Sequence, residues 1–161
     1  MIHGASGGVG LTVVEIIKKV GATVIATIGE PEELAISKQY GADHLIDYRT
    51  EDIWTRVKAL NDGRGVEAVY GLVGSYVFNS IVAGNRTTRA EFVCRIYHRH
   101  WGAHQILDSH LISRSFDQLL SWYDAGELKP NISSTFDMAD APKAIEILKS
   151  QKSTGSVVLR M

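Results

Sequence analysis

Four glycines fall within the first ten residues of this 161-residue chain, MIHGASGGVG, and the spacing Gly4, Gly7, Gly10 is a chemical pattern. Glycine lets the backbone turn tightly and bring its amides close to a phosphate, and a helix opening from such a loop presents its positive dipole end to the anion. In the dinucleotide fingerprint one glycine allows the turn and one admits the pyrophosphate. A third, here Gly10, lets helix and strand pack closely. The pattern therefore nominates Gly4, Ser6, Gly7, Gly8, Val9 and Gly10 as cofactor-binding residues. Ser6 has no base partner indicated that would make it a nucleophile, so its hydroxyl is assigned to assisting at the phosphate. An acid roughly 20 residues beyond the glycines is the usual ligand of the ribose 2′-hydroxyl, and Glu30 fits that place.

Other chemistry-bearing groups argue for less. His98 and His100 would share one face of a strand, with His104 nearby, and imidazoles so placed could hold zinc. No cysteine completes a ligand set, so partly exposed edge histidines and no metal site are expected. Arg86, Arg89, Arg95 and Arg99 make the same segment basic, which suits a solvated sheet edge. Cys94 is the only cysteine, so no internal disulfide is possible and a reducing cytoplasmic setting is expected. A formal net charge of −1 excludes global attraction to nucleic acid or membrane surfaces, and no apolar stretch has the length of a membrane span. The N-terminus lacks the basic-then-apolar order of a secretory signal.

The elements that must position the glycines follow from periodicity. With Met1–His3 as a short first strand, Leu11–Val20 reads as a helix stopped by Gly21, and Ala22–Ile28 as a buried strand. Glu33–Tyr40 is a helix stopped by Gly41, His44–Tyr48 a strand, and Glu51–Leu60 a helix. The turn Asn61–Gly65 leads into the strand Val66–Val73. Four strands alternating with helices through short connections predict an α/β fold, a doubly wound, mostly parallel sheet with helices on both faces. Beyond it, Ser75–Ala83, Ser109–Ala125 and Asp140–Lys149 read as helices, and Glu91–His98 and Thr154–Arg160 as strands. Composition (45% hydrophobic, 22% charged) and length are those of one ordinary soluble domain, residues 1–161.

The segments HGASGGVG (3–10), GATVIAT (21–27), KQYGADHLIDYRTED (38–52) and GRGVEAVYGLVG (63–74) resemble the cofactor half of the quinone oxidoreductase (zeta-crystallin-like) branch of the medium-chain dehydrogenase/reductases. WGAH (101–104), LLSWYDAGELKPNISSTF (119–136) and TGSVVLRM (154–161) resemble its tail. The resemblance implies a Rossmann-type domain that binds NAD(P)H. It also implies hydride transfer to a quinone or an activated carbonyl or alkene, without catalytic zinc. By the same resemblance Tyr48 meets the adenosine end of the cofactor, and Val73 and Gly74 lie near the nicotinamide ribose.

Departures from the family pattern set further expectations. The family's catalytic domain precedes this segment, and it is expected to be absent here. Since reduction requires a positioned acceptor, activity of this chain alone is expected to be residual at most. At GNRTTRAEFVCRIYHRH (84–100) the pattern is short, so the sheet is expected to lack one strand and to set Phe92–His98 against Val66–Val73. Where NADPH-using relatives place a lysine, this chain has Glu33, flanked by Glu30 and Glu32. Carboxylates repel a 2′-phosphate, so the balance between NAD and NADP leans to NAD. The final strand, which returns to the catalytic domain in relatives, is left as an association template, and a homodimer is expected. Two alternatives stay open: a self-associating remnant that binds no nucleotide, and one half of a split reductase whose catalytic domain is a separate chain.

Overall fold

The computed structural model describes residues 1–71, 91–92, 109–150 and 153–161. The chain divides into two compact units, one of Ile2–Glu51 with Pro130–Met161 and the other of Met1 with Asp52–Lys129.

In the first unit β1 (Ile2–His3), β2 (Ile25–Ile28) and β3 (His44–Asp47) form a parallel sheet with β2 in the middle. All four β2 residues are buried, which is why this stretch reads as an unbroken apolar and β-branched run. Helix α1 (Gly8–Lys19) follows β1 and turns Leu11 and Val14 into the core with Ile2, Ala26 and Ile46. The helix begins three residues earlier than the apolar period alone predicts, because Gly8 and Gly10 themselves take helical geometry behind Gly7 as N-cap. Conversely, β2 begins three residues later than expected. Val24 is held by Asp43 instead of a ladder partner: its N–H donates to Asp43 Oδ2 at 2.7 Å, and its carbonyl accepts from Asp43 N and His44 N. Lys18, in the last turn of α1, clamps the same carboxylate at 2.8 and 2.9 Å. Helix α2 (Pro31–Gln39) starts at a proline, whose missing N–H costs nothing at the first helical position.

The tail of this unit holds an element the sequence pattern does not predict. Strand β6 (Ile132–Asp137) pairs in parallel with β7 (Ser156–Arg160). The crossover between them carries a short 3₁₀ turn, Met138–Asp140, and helix α5 (Ala141–Lys149). β6 reads ISSTFD, with neither strict alternation nor an apolar run, so its strand state comes from pairing with β7. The final strand, expected to be unpaired, thus has a partner on one edge.

In the second unit α3 (Ile53–Leu60) is capped by Asp52, whose Oδ1 accepts from Thr55 N at 2.8 Å. The turn that follows uses positive φ at Asp62, Gly63 and Gly65. Strand β4 (Ala68–Gly71) pairs in parallel with β5 (Glu91–Phe92). Met1 runs along β4, its amino group donating to Ala68 O at 2.7 Å and its carbonyl accepting from Tyr70 N at 2.8 Å. Helix α4 (Ser109–Asp124) ends at Gly126, in positive φ, with Leu128 buried after it. The strand expected over 91–98 is described only at Glu91–Phe92, beside β4 as expected. The predicted helix over 75–83 and the proposed loss of one strand lie outside the described residues.

Candidate functional site

The glycine loop leaves the carboxyl end of β1 through His3, whose ring is buried with Nδ1 2.7 Å from Thr27 Oγ1 on the neighbouring strand. Burial pushes the His3 imidazole down to about 4, so it is neutral at pH 7. The four glycines then divide the work. Gly4 turns the chain at φ +65°, and Gly7 N donates back to its carbonyl at 3.3 Å. Gly10 lets α1 rest on the loop, for a Cβ there would stand 2.8 Å from Ala5 Cα. Over Gly7 there is room: the nearest atom to a Cβ would be Gly4 O at 3.6 Å. Gly8 is different, since its missing Cβ is matched by Ser156, with Oγ 2.6 Å from the Cβ position.

Helix α1 starts here with no side-chain cap and no acid in its first turn. The first-turn amides of Gly8, Val9 and Gly10 precede the helix's own hydrogen-bond ladder, so the dipole end is open to an anion. Val9 is exposed beside them. Ser6 is buried, and its hydroxyl donates to Glu33 Oε1. The other Glu33 oxygen accepts from Gly29 N at 2.7 Å and from Glu30 N at 3.0 Å. One carboxylate thus ties the glycine loop to the turn after β2 and to the start of α2.

Glu30 takes a separate partner, Arg49 Nη1 at 3.0 Å. The Arg49 backbone N–H, followed by its side chain, holds the Asp47 carboxyl below the usual carboxylate range. Tyr48 lies across Gly29, where a Cβ would stand 2.8 Å from its Cζ, yet half of its surface stays exposed. Ser6, Glu30, Glu33, Tyr48 and Arg49 therefore gather at the carboxyl ends of β2 and β3, next to the loop. Glu33 as the link and Ser156 as the loop's neighbour are absent from the cofactor residues nominated by sequence. The Glu30-x-x-Glu33 spacing of a capping box was the available signal for the first. Ser156, nearly 150 residues away in sequence, offered none. Val73, Gly74, Cys94, His98, His100, His104 and the four arginines of 86–99 lie outside the described residues. Among the described residues no three His, Cys, Asp or Glu side chains are grouped to hold a metal.

Residues 40–159 match the model of the zinc-binding dehydrogenase family. A quinone oxidoreductase-like protein 2 homolog of Nematostella vectensis is 29% identical over 180 residues, which cover 99% of this chain and 49% of that protein. An NAD-dependent alcohol dehydrogenase of Sulfurisphaera tokodaii is 28% identical over 171 residues, again 99% and 49%. Among solved structures, the Escherichia coli quinone oxidoreductase complexed with NADPH superposes with a TM-score of 0.81 at 26% identity, covering 99% of this chain and 56% of that one. The chain spans about half the length of the relatives it matches. The α/β class and Rossmann-like parallel sheet expected from sequence hold. With three quarters of its residues matched, the chain belongs to the zinc-binding dehydrogenase family, and it is similar to quinone oxidoreductases over about half of their length.

Proposed function

We propose that residues 1–161 are the nicotinamide dinucleotide-binding half of a quinone-oxidoreductase-like enzyme, with NAD(H) preferred to NADP(H). The mouth of α1 carries this reading: an uncapped helix N-terminus, first-turn amides of Gly8, Val9 and Gly10 that precede the helix's own hydrogen-bond ladder, and open space over Gly7. The amides hold the pyrophosphate, Gly4 makes the turn beneath it, and Ser6 acts through Glu33. Glu30 and Tyr48 receive the adenosine end, and Val73 with Gly74 the nicotinamide ribose. The bound dinucleotide supplies a hydride at its nicotinamide ring; this chain's part is to hold and orient it.

The cofactor preference rests on charge. Glu33 is held by three hydrogen bonds, one of them from Ser6 of the loop, and Glu30 lies beside it paired with Arg49, so a 2′-phosphate dianion at this end would face two carboxylates against one guanidinium. Relatives carry both preferences in their names, one NAD-dependent and one complexed with NADPH. Reduction of a quinone or an activated carbonyl or alkene needs an acceptor site, which this reading assigns to the part of the relatives' length that the chain does not cover. Transfer by these residues alone is residual, and the acceptor half comes from the same or a separate chain.

Calorimetric titration with NADH and NADPH tests both parts of the reading. NADH is expected to bind, and more tightly than NADPH. No heat with either ligand at millimolar concentration would leave a remnant without nucleotide binding, and equal affinities would remove the preference.

Self-association is a second element of this reading. β6 and β7 each have one unpaired edge among the described residues, and Ile132, Val158 and Leu159 are exposed on them, which favours a homodimer. Light scattering that finds a monomer at micromolar concentration would contradict it. No helix among the described residues is long and apolar enough to cross a membrane.

A further inference from the structure

The hydroxyl that the sequence assigns to the phosphate is already committed, since Ser6 Oγ donates to Glu33. A second hydroxyl stands beside the loop, delivered from the end of the chain. Gly155 bridges Gly7 in parallel register, and its N–H donates to Ser6 O at 3.0 Å. The next residue, Ser156, puts its Oγ 2.6 Å from the place a Gly8 Cβ would occupy. Gly8 is the first residue of α1, so this hydroxyl sits at the positive end of the helix.

Its position is fixed by the β6–β7 pair. Ser156 N donates to Asn131 O at 2.7 Å, and Ser133 Oγ donates to Ser156 O at 3.2 Å. Asn131 Nδ2 donates to Thr154 O at 3.0 Å. Gly155 holds φ +96°, and a Cβ there would stand 2.8 Å from Asn131 Cγ, so the approach to the loop depends on that glycine. The Ser156 hydroxyl itself has no hydrogen-bond partner among the described residues. A pre-positioned hydroxyl with a free proton, next to unbonded amides, is a donor for an anionic oxygen.

We propose that Ser156 is a pyrophosphate-binding residue, its Oγ–H donating to a phosphate oxygen of the dinucleotide held by the Gly8 and Val9 amides; this rests on the nucleotide reading above. The C-terminal strand is then part of the cofactor site, and Gly8 is a glycine because Ser156 must reach the helix N-terminus past it. A side chain at Gly8 would displace the hydroxyl before it met the ligand.

The test compares wild type, Ser156→Ala and Ser156→Asp with two probes, NADH and ADP-ribose, which shares the pyrophosphate and lacks the nicotinamide. Ser156→Ala is expected to weaken both probes by the same factor, about tenfold for one hydrogen bond to a charged group. Ser156→Asp is expected to weaken both further, because it sets a carboxylate against the phosphates, and thermal melts of both variants confirm that they are folded. Ser156→Ala binding within about twofold of wild type would overturn the proposal, since so small a change is a fraction of one hydrogen bond. A loss confined to NADH would overturn it too, by placing the contact at the nicotinamide. If wild type binds neither probe, the nucleotide reading itself falls and this assignment with it.

Discussion

Two parallel sheets share the glycine-loop unit, and they are made differently. In β3-β2-β1 the middle strand is flanked on both edges, and Ile25, Ala26, Thr27 and Ile28 are all buried. In β6–β7 each strand has one neighbour, Ile132 is 56% exposed, and Val158 and Leu159 are more than a third exposed. The first sheet is the scaffold from which the loop springs. The second is a carrier that brings Gly155 and Ser156 to the loop's flank, held by backbone and asparagine hydrogen bonds more than by buried surface. Fold and site therefore draw on different physics within one unit: burial where the loop begins, polar tethering where it is closed.

The largest effect should come from filling the closest contact in the first region. Gly10→Val places a side chain 2.8 Å from Ala5 Cα, a backbone atom that cannot give way, and is expected to cost more than about 3 kcal/mol in urea unfolding. Leu159→Ala, in the exposed pair, is expected to cost less than about 1 kcal/mol because little surface is lost. Equal losses would erase the distinction between the two sheets.

Next comes pH. The buried His3 has its folded pKa lowered to about 4, below the ordinary value of 6.5. Between those values the unfolded chain binds the proton and the folded one does not, so stability rises with pH across the window. The contribution, about 3 kcal/mol, is complete above pH 6.5 and lost as pH falls to about 4. Asp43, Asp47 and Asp52, all lowered from 3.8, add their own loss only below that window. Urea unfolding at pH 7 and pH 4.5 should show the drop in wild type and a flatter profile in His3→Gln. A flat wild-type profile would mean that His3 is not held neutral.

Capping sharpens the comparison at smaller scale. Glu33→Ala removes acceptors from Gly29 N, Glu30 N and the Ser6 hydroxyl and is expected to lower stability by about 1–2 kcal/mol. Asp140→Ala, before α5, removes no side-chain cap and should change stability by no more than about 0.5 kcal/mol. Smallest of all, Ser37→Ala deletes a fully buried hydroxyl with no partner among the described residues. It is expected to be neutral or stabilising by up to about 1 kcal/mol, read from the melting temperature.

The sequence made the first region legible because its instructions are local. Glycines at 4, 7 and 10, the stops at Gly21 and Gly41, and the unbroken run in β2 each name their element through conformational freedom or burial. The helix starts were legible only approximately, since Gly8 and Pro31 do not look apolar and yet lie inside their helices. β6 escaped because serine and threonine carry no period, and only β7 makes it a strand. At the site, residue types pointed to the loop and the acids after β2. The Glu30-x-x-Glu33 spacing signals a capping box, but that Glu33 also reaches Ser6, that Arg49 holds Glu30, and that Ser156 lies on Gly8 are facts of three-dimensional distance.

In the proposed complex a pyrophosphate rests on the first turn of α1. Backbone amide spectra of ¹⁵N-labelled protein titrated with NADH test it most directly. The amide signals of Gly8, Val9 and Gly10 are expected to move most, saturably, and Gly7→Val is expected to abolish the movement while the rest of the spectrum stays folded. Saturable NADH binding that leaves these three amides unmoved, or that survives Gly7→Val, would contradict it.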